Sequence, residues 1–274
     1  MSIHLKVPVA TLGFPRIGRE RELKFALESY WAGKSSRDDL LNMAKALREA
    51  NWIEQRDHGV TRIPCNDFSL YDHVLDTAVM VGAVPPRFGW KGGPVALDTY
   101  FAMARGSQHA GGECDHPGHS HDATALEMTK WFDTNYHYMV PELADDQVFT
   151  LSSLKPVDEF LEAKALGIHT RPVLLGPITF LKLAKSTAES FNPLTLLPKL
   201  IPVYAQLLKR LARAGADWVQ IDEPALVLDL IPNEREAFGY AYAKLAAAAP
   251  GLNIMLATYF GALGDNLDTA LALP

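Results

Sequence analysis

The chain has 274 residues, 48% of them hydrophobic and 21% charged, enough to bury one large core or two small ones. A net charge of -6 disfavours a nucleic-acid surface, and two well-separated cysteines suggest no disulfide framework. No apolar run approaches the roughly 20 residues of a membrane span, and MSIHLKVPVATLGF lacks a signal-peptide pattern, so the reading is a cytoplasmic globular protein with no membrane or nucleic-acid partner.

Residues 9–13 are apolar and partly β-branched, which suits a buried strand that Pro15 and Gly18 then break. A helix is expected to begin near Glu20. Arg16, Arg19, Arg21 and Lys24 therefore crowd the loop and first helical turn, where free N–H groups and the helix dipole already make the potential positive. Such a cluster suits a bound phosphate or carboxylate, unless Glu20 and Glu22 neutralise a merely solvated face. Residues 23–31 read as a short helix, and Ser35 with Asp38 or Ser36 with Asp39 offers a capping box for a longer second one that Gly59 stops. A strand over 61–64 leads through Cys65, Asn66 and Asp67 to a helix over 71–81. The stretch 82–142 is too long for a simple connection and is expected to carry function or an excursion.

From residue 148 the alternation becomes regular: a strand at 148–151, a helix at 157–166 and a strand at 171–175. Leu200, Ile201, Tyr204, Leu207, Leu208 and Leu211 then form one helical stripe, with Pro202 expected in the first turn and Gly215 at the cap. A strand at 218–221, a helix through 240–248 and a strand at 253–258 complete six strand candidates. The alternation predicts a parallel sheet, and polar residues collecting just after the strands favour a (β/α)8 TIM-type barrel over an open sheet. No Gly-rich dinucleotide fingerprint follows the first strand.

Three constellations could carry chemistry. Asp222 and Glu223 stand directly after WVQI, at a barrel rim, as a general base or substrate acceptor or, alternatively, as a clamp paired with an Arg on a neighbouring strand. Lys130, Asp133, Asn135 and His137, among Trp131, Phe132, Tyr136 and Tyr138, suit the wall of a pocket for a flat heterocycle, or else a packed connection with Lys130 in solvent. Cys114, His116, His119 and His121 are zinc-type ligands, but they meet no standard spacing and sit in a Gly- and Pro-rich run, so a solvated surface loop is the default.

Five blocks in order closely resemble the N-terminal half of cobalamin-independent methionine synthase: LGFPRIGRERELK at 12–24, YDHVLDTA at 71–78, EMTKWFDTNYHYMVPE at 127–142, RPVLLGPITFLKLAK at 171–185 and DWVQIDEPALVL at 217–228. The resemblance implies a folate-binding (β/α)8 barrel over 1–274, the first of two barrels in an enzyme that moves a methyl group from 5-methyltetrahydropteroyltri-L-glutamate to L-homocysteine, forming methionine. It implies that Arg21, Glu22, Leu23, Lys24 and Lys130 bind the folate, whose glutamate tail is a string of carboxylates. It also implies that no catalytic residue lies in this chain, that the Zn2+ ligands and the homocysteine site belong to a C-terminal barrel, that no cobalamin takes part, and that the full-length enzyme is a monomer. Residues 107–122 look like an insertion. Two other readings stand beside it: a non-catalytic folate- or metal-binding module, and another barrel enzyme of the uroporphyrinogen decarboxylase and corrinoid methyltransferase superfamily. Six strand candidates out of a barrel's eight leave two sheet edges open, so a truncated fragment is expected to be inactive and prone to aggregate.

Overall fold

The computed structural model describes residues 7–107, 123–188 and 191–274. Helix α1 (Glu22–Trp31) packs on α2 (Arg37–Asp57). The Ser36 hydroxyl accepts the Asp39 N–H at 3.1 Å while the Asp39 carboxylate accepts the Ser36 N–H at 2.8 Å, which is the capping box the sequence offered. Leu40, Ala44, Leu47 and Trp52 are the buried stripe of α2, and Gly59 turns the chain out at φ 82.

Strand β1 (Ile63–Cys65) leads into α3 (His73–Met80), and the 82–142 stretch holds α4 (Leu97–Arg105), a hairpin of β2 (Met128–Lys130) with β3 (His137–Met139), and the start of β4 (Glu142–Leu143). Beyond these come α5 (Lys155–Ala165), β5 (Thr170–Leu175), α6 (Pro177–Leu183) and β6 (Lys185–Ser186). The chain continues through α7 (Leu197–Ala214), β7 (Trp218–Asp222), α8 (Pro232–Ala248), β8 (Asn253–Ala257) and α9 (Leu267–Leu271). Prolines open α5, α6, α7 and α8, where a missing N–H breaks no helical bond.

The main sheet runs β1-β5-β7-β8 with every pair parallel, and Ala10 adds a parallel bridge to Arg62 beside β1. Helices α5, α7 and α8 pack side by side, with α5 against β1 and β5. This is an α/β fold built on a parallel sheet; among the described residues β1 and β8 do not pair, so the sheet is open.

Three expectations need correction. Residues 9–13 form one bridge and no strand, because side chains take their carbonyls: Arg171 donates to Thr11 O at 2.7 Å and Gln220 to Leu12 O at 3.2 Å. Residues 148–151 form no strand, because this segment pairs with the end of α3, the Thr150 N–H with Val81 O at 3.0 Å and the Ser152 N–H with Met80 O at 2.8 Å. Pro202 lies inside α7, in its second turn and facing solvent, since the helix already starts at Leu197 with Pro198 in its first turn. Among the described residues no helix is long and apolar enough to cross a membrane.

Candidate functional site

Two polar regions collect where the chain leaves the C-terminal ends of the parallel strands, the usual place for ligand sites in such sheets. The first is an open ledge made by residues 14–24. Its N-terminal end is tied down where Asp67 accepts the Phe14 N–H at 2.7 Å, and α2 holds its middle through Asn51 to Pro15 O at 3.3 Å and a 2.8 Å ion pair between Arg19 and Glu54. Arg21 enters α1 in the left-handed conformation at φ 63. The Leu23 side chain is buried in the core, and its N–H is spent on Ile17 O at 3.1 Å. Glu22 turns back and accepts the Glu20 N–H at 3.0 Å. Glu22 thus braces the loop just before α1 while the Ile17 carbonyl takes one first-turn N–H, and what remains for an outside anion is the pair of exposed cations Arg21 and Lys24. Lys24 has a loose pair with Glu28, at 3.7 Å, and lies 5.7 Å from the centre of the Phe25 ring.

The hairpin stands beside this ledge. Lys130 is exposed on β2 opposite His137, while Trp131 and Tyr138 turn inward. Arg16 joins the two: its guanidinium donates to the Tyr136 hydroxyl at 3.2 Å and to the Tyr71 carbonyl, and lies 5.8 Å from the centre of the Tyr136 ring. The structure therefore brings the basic loop and the Lys130 hairpin together. Among the described residues no hydrogen bond or ion pair links Lys130 directly to Arg21 or Lys24.

The second region is a cavity of about 150 Å³ at the ends of β1, β5 and β7. Asn66, at φ 61, leaves β1 there, a left-handed position that Asn tolerates better than most residues. Its side-chain oxygen accepts from Lys155 Nζ at 2.8 Å, and Lys155 also pairs with Glu159 at 3.2 Å and Asp76 at 3.3 Å. Burial alone would lower the Lys155 pKa; the two carboxylates reverse that and raise it. Across the cavity Asp222 accepts from Gln220 at 2.6 Å and from the Tyr259 hydroxyl at 3.2 Å. Burial pushes Asp222 up to about 6, raises Asp67 beside it, and holds His73 down at about 4.

Asp222 and Glu223 point different ways, as adjacent strand-end residues must. Glu223 is fully buried and caps α6, accepting the Thr179 N–H at 2.8 Å, the Thr179 hydroxyl at 2.6 Å, the Ile178 N–H at 3.3 Å and the Tyr242 hydroxyl at 3.2 Å. Gly176 makes room for it, since a Cβ there would sit 2.0 Å from the Glu223 carboxyl carbon. Glu223 is structural. Asp222 is reached from the neighbouring strand by relay: Arg171, only 2% exposed, donates to Gln220 at 2.6 Å, and Gln220 donates to Asp222. The residues 127–142 do not line the cavity; Trp131 backs it through an edge-on contact with His73 at 4.5 Å.

Arg171, Gln220, Lys155, Asp72, Asp76 and Tyr259 join the site without a motif of their own in the sequence. Arg171 carried a signal, a charge at the head of the apolar run RPVLL, on the same strand face as Val173 and Leu175. Asp72 caps α3 at Val74 and Leu75, 2.7 and 3.1 Å, and also takes the Met139 N–H at 3.1 Å, anchoring the hairpin; burial pushes it up to about 7. Cys114, His116, His119 and His121 lie outside the described residues, as does most of the 107–122 stretch. Among the described residues no three His, Cys, Asp or Glu side chains are grouped to hold a metal, and the one cysteine there, Cys65, is buried within β1.

Residues 8–274 match the family model described as cobalamin-independent synthase, N-terminal domain. The chain is 70% identical over 271 residues to a 5-methyltetrahydropteroyltriglutamate–homocysteine methyltransferase of Mesorhizobium japonicum, covering 97% of this chain and 35% of that protein. A protein of the same name from Caulobacter vibrioides is 62% identical over 276 residues, covering 98% and 36%. The chain thus spans about a third of the length of these curated relatives, at 35% and 36%. A solved structure from Listeria monocytogenes, described as a vitamin-B12 independent methionine synthase, matches 98% of this chain and 72% of its own with a TM-score of 0.60 at 11% identity, a likeness of fold alone.

Proposed function

The chain belongs to the cobalamin-independent synthase N-terminal domain family, and from that premise we propose that it is the folate-gripping part of a methyltransferase that converts L-homocysteine to methionine with 5-methyltetrahydropteroyltri-L-glutamate. Arg21 and Lys24 on the ledge and Lys130 on the hairpin hold the glutamate tail by charge-assisted hydrogen bonds. Leu23 anchors the helix end in the core, and Glu22 fixes the loop that carries Arg21. The observation that carries this reading is the junction at Arg16, which sets two separate basic elements side by side on one exposed rim. A tail with several carboxylates needs such a row of cations, whereas a single small anion would need only one of them.

In this reading residues 1–274 form one folate-binding domain, and the parallel sheet belongs to an eight-stranded (β/α) barrel. The whole protein is a cytoplasmic monomer that works without cobalamin. This chain's residues bind the folate and orient its methyl group, so that the reacting atoms meet in a fixed geometry. Zinc and homocysteine would be held by residues elsewhere in the whole protein, and no step of the transfer is assigned to this chain.

The test is the affinity of the protein for the triglutamate and the monoglutamate forms of the substrate. Lys130→Ala or Lys24→Ala removes about 1.5–3 kcal/mol if the contact is direct, a loss of roughly 10- to 100-fold that falls on the triglutamate form. Equal affinities of variant and wild type for both forms would refute the assignment.

A further inference from the structure

We infer that Arg16 is a positioning residue that sets the tail-length preference of the proposed folate site, by fixing the spacing between the Arg21 and Lys24 cations and Lys130. The inference rests on the folate-tail reading above and deepens it.

Two tethered elements meet at this side chain. The loop is fixed to α2 by Asn51 and Glu54, and the hairpin is fixed to the start of α3 by the Asp72 carboxylate on the Met139 N–H at 3.1 Å and by the tilted contact of His73 with Tyr136 at 5.9 Å. Among the described residues Arg16 is the one side chain of the loop that hydrogen-bonds to the hairpin. Its two terminal nitrogens go to different elements, one to the Tyr136 hydroxyl and one to the carbonyl of Tyr71, the residue before the α3 cap Asp72. The planar guanidinium fork holds both directions at once and also lies over the Tyr136 ring, a combination a lysine cannot reproduce. With both nitrogens engaged inward, Arg16 is the strut between the tail-binding cations. Leaving the strut in place keeps the cations in register with carboxylates spaced along a chain; removing it lets each cation act alone. A monoglutamate, which needs only one contact, should hardly notice.

Arg16→Ala, Arg16→Lys and Tyr136→Phe separate this role from direct binding and from folding. For each variant, dissociation constants for the triglutamate and monoglutamate substrates, turnover in the whole protein and the thermal midpoint are compared with wild type. Arg16→Ala should lower the triglutamate-to-monoglutamate affinity ratio by about fivefold or more, with monoglutamate affinity and turnover within about twofold. Arg16→Lys should not restore the ratio, and Tyr136→Phe, which keeps the ring but removes the accepting hydroxyl, should lower it by about two- to threefold. An unchanged ratio in Arg16→Ala overturns the inference, and so does tighter triglutamate binding in Tyr136→Phe, which would mean that a released Arg16 binds the tail itself. If Arg16→Ala fails to fold, Tyr136→Phe decides alone. Lys130→Ala in parallel tells the two claims apart: loss of the ratio there but not in Arg16→Ala removes the strut and keeps the folate reading, whereas an unchanged ratio in both removes the reading as well.

Discussion

The ledge and the cavity lie at the same end of the sheet and are both rich in charge, yet they are built in opposite ways. Arg21 and Lys24 on the ledge and Lys130 on the hairpin beside it are exposed, and the pair of Lys24 with Glu28 is loose. Around the cavity Asp222, Asp72, Glu159 and Lys155 are held by two or more hydrogen bonds or ion pairs each, and their neighbour Glu223 by four. Charge left in water is available to a ligand and contributes little to stability; charge taken out of water must be satisfied from within, and the fold comes to depend on it. Substitutions should therefore sort by region, with binding lost on the ledge and stability lost around the cavity.

The largest effect should come from Glu223→Ala, which strands the N–H groups of Ile178 and Thr179 and the hydroxyls of Thr179 and Tyr242 in the interior. Each unsatisfied buried group costs about 1–3 kcal/mol, and with the two hydroxyls free to turn toward other acceptors the expected loss is about 3–5 kcal/mol in urea unfolding. A loss below about 1 kcal/mol would mean that α6 does not need its cap. Gly176→Ala should destabilise by a similar route, because the added methyl displaces the same carboxylate. Asp72→Ala comes next, at about 2–3 kcal/mol, since it removes the α3 cap and a hairpin anchor together. Faster amide exchange at Met139 should accompany it.

How much of this contrast was legible in the sequence follows from the range of the contacts. The capping box of α2 spans three residues, and the α7 stripe with Gly215 at its end is periodic, so both read directly from the chain. The basic loop was equally visible, as cations adjacent in sequence. Glu223 was not, because its partner Thr179 is 44 residues away and nothing near Glu223 tells whether a carboxylate after a strand will face a cavity or a helix end. Residues 148–151 misled for a related reason: their composition is strand-like, but the groups that pair with them end a helix. The parallel sheet was expected correctly, while only four of the six strand candidates became strands in it.

A smaller effect concerns pH. Burial holds Asp222 near 6, against 3.8 for a free carboxyl, so between those values the native state keeps a proton that the unfolded chain has released. Stability from this group therefore falls as pH rises through that window, by at most about 1.4 kcal/mol per pH unit. His73, lowered from 6.5 to about 4, acts with the opposite sign, because there the unfolded chain holds the extra proton. Asp222→Asn isolates the first contribution: urea midpoints of variant and wild type should draw apart between pH 4 and 6, and parallel curves would show that Asp222 does not titrate there. The smallest effect belongs to the ledge. Lys24→Ala removes an exposed pair four residues apart on a helix and should change stability by less than about 0.5 kcal/mol, a value that unfolding of the same variant checks.

The division of labour between the two regions is tested most directly by amide hydrogen exchange of the protein with and without 5-methyltetrahydropteroyltri-L-glutamate. Added protection is expected in peptides covering residues 12–24 and 128–139, with exchange around Asn66, Asp222 and Tyr259 unchanged by the tail when triglutamate and monoglutamate are compared. Protection by the extra glutamates around Asn66 and Asp222, with none on the ledge or the hairpin, would contradict it.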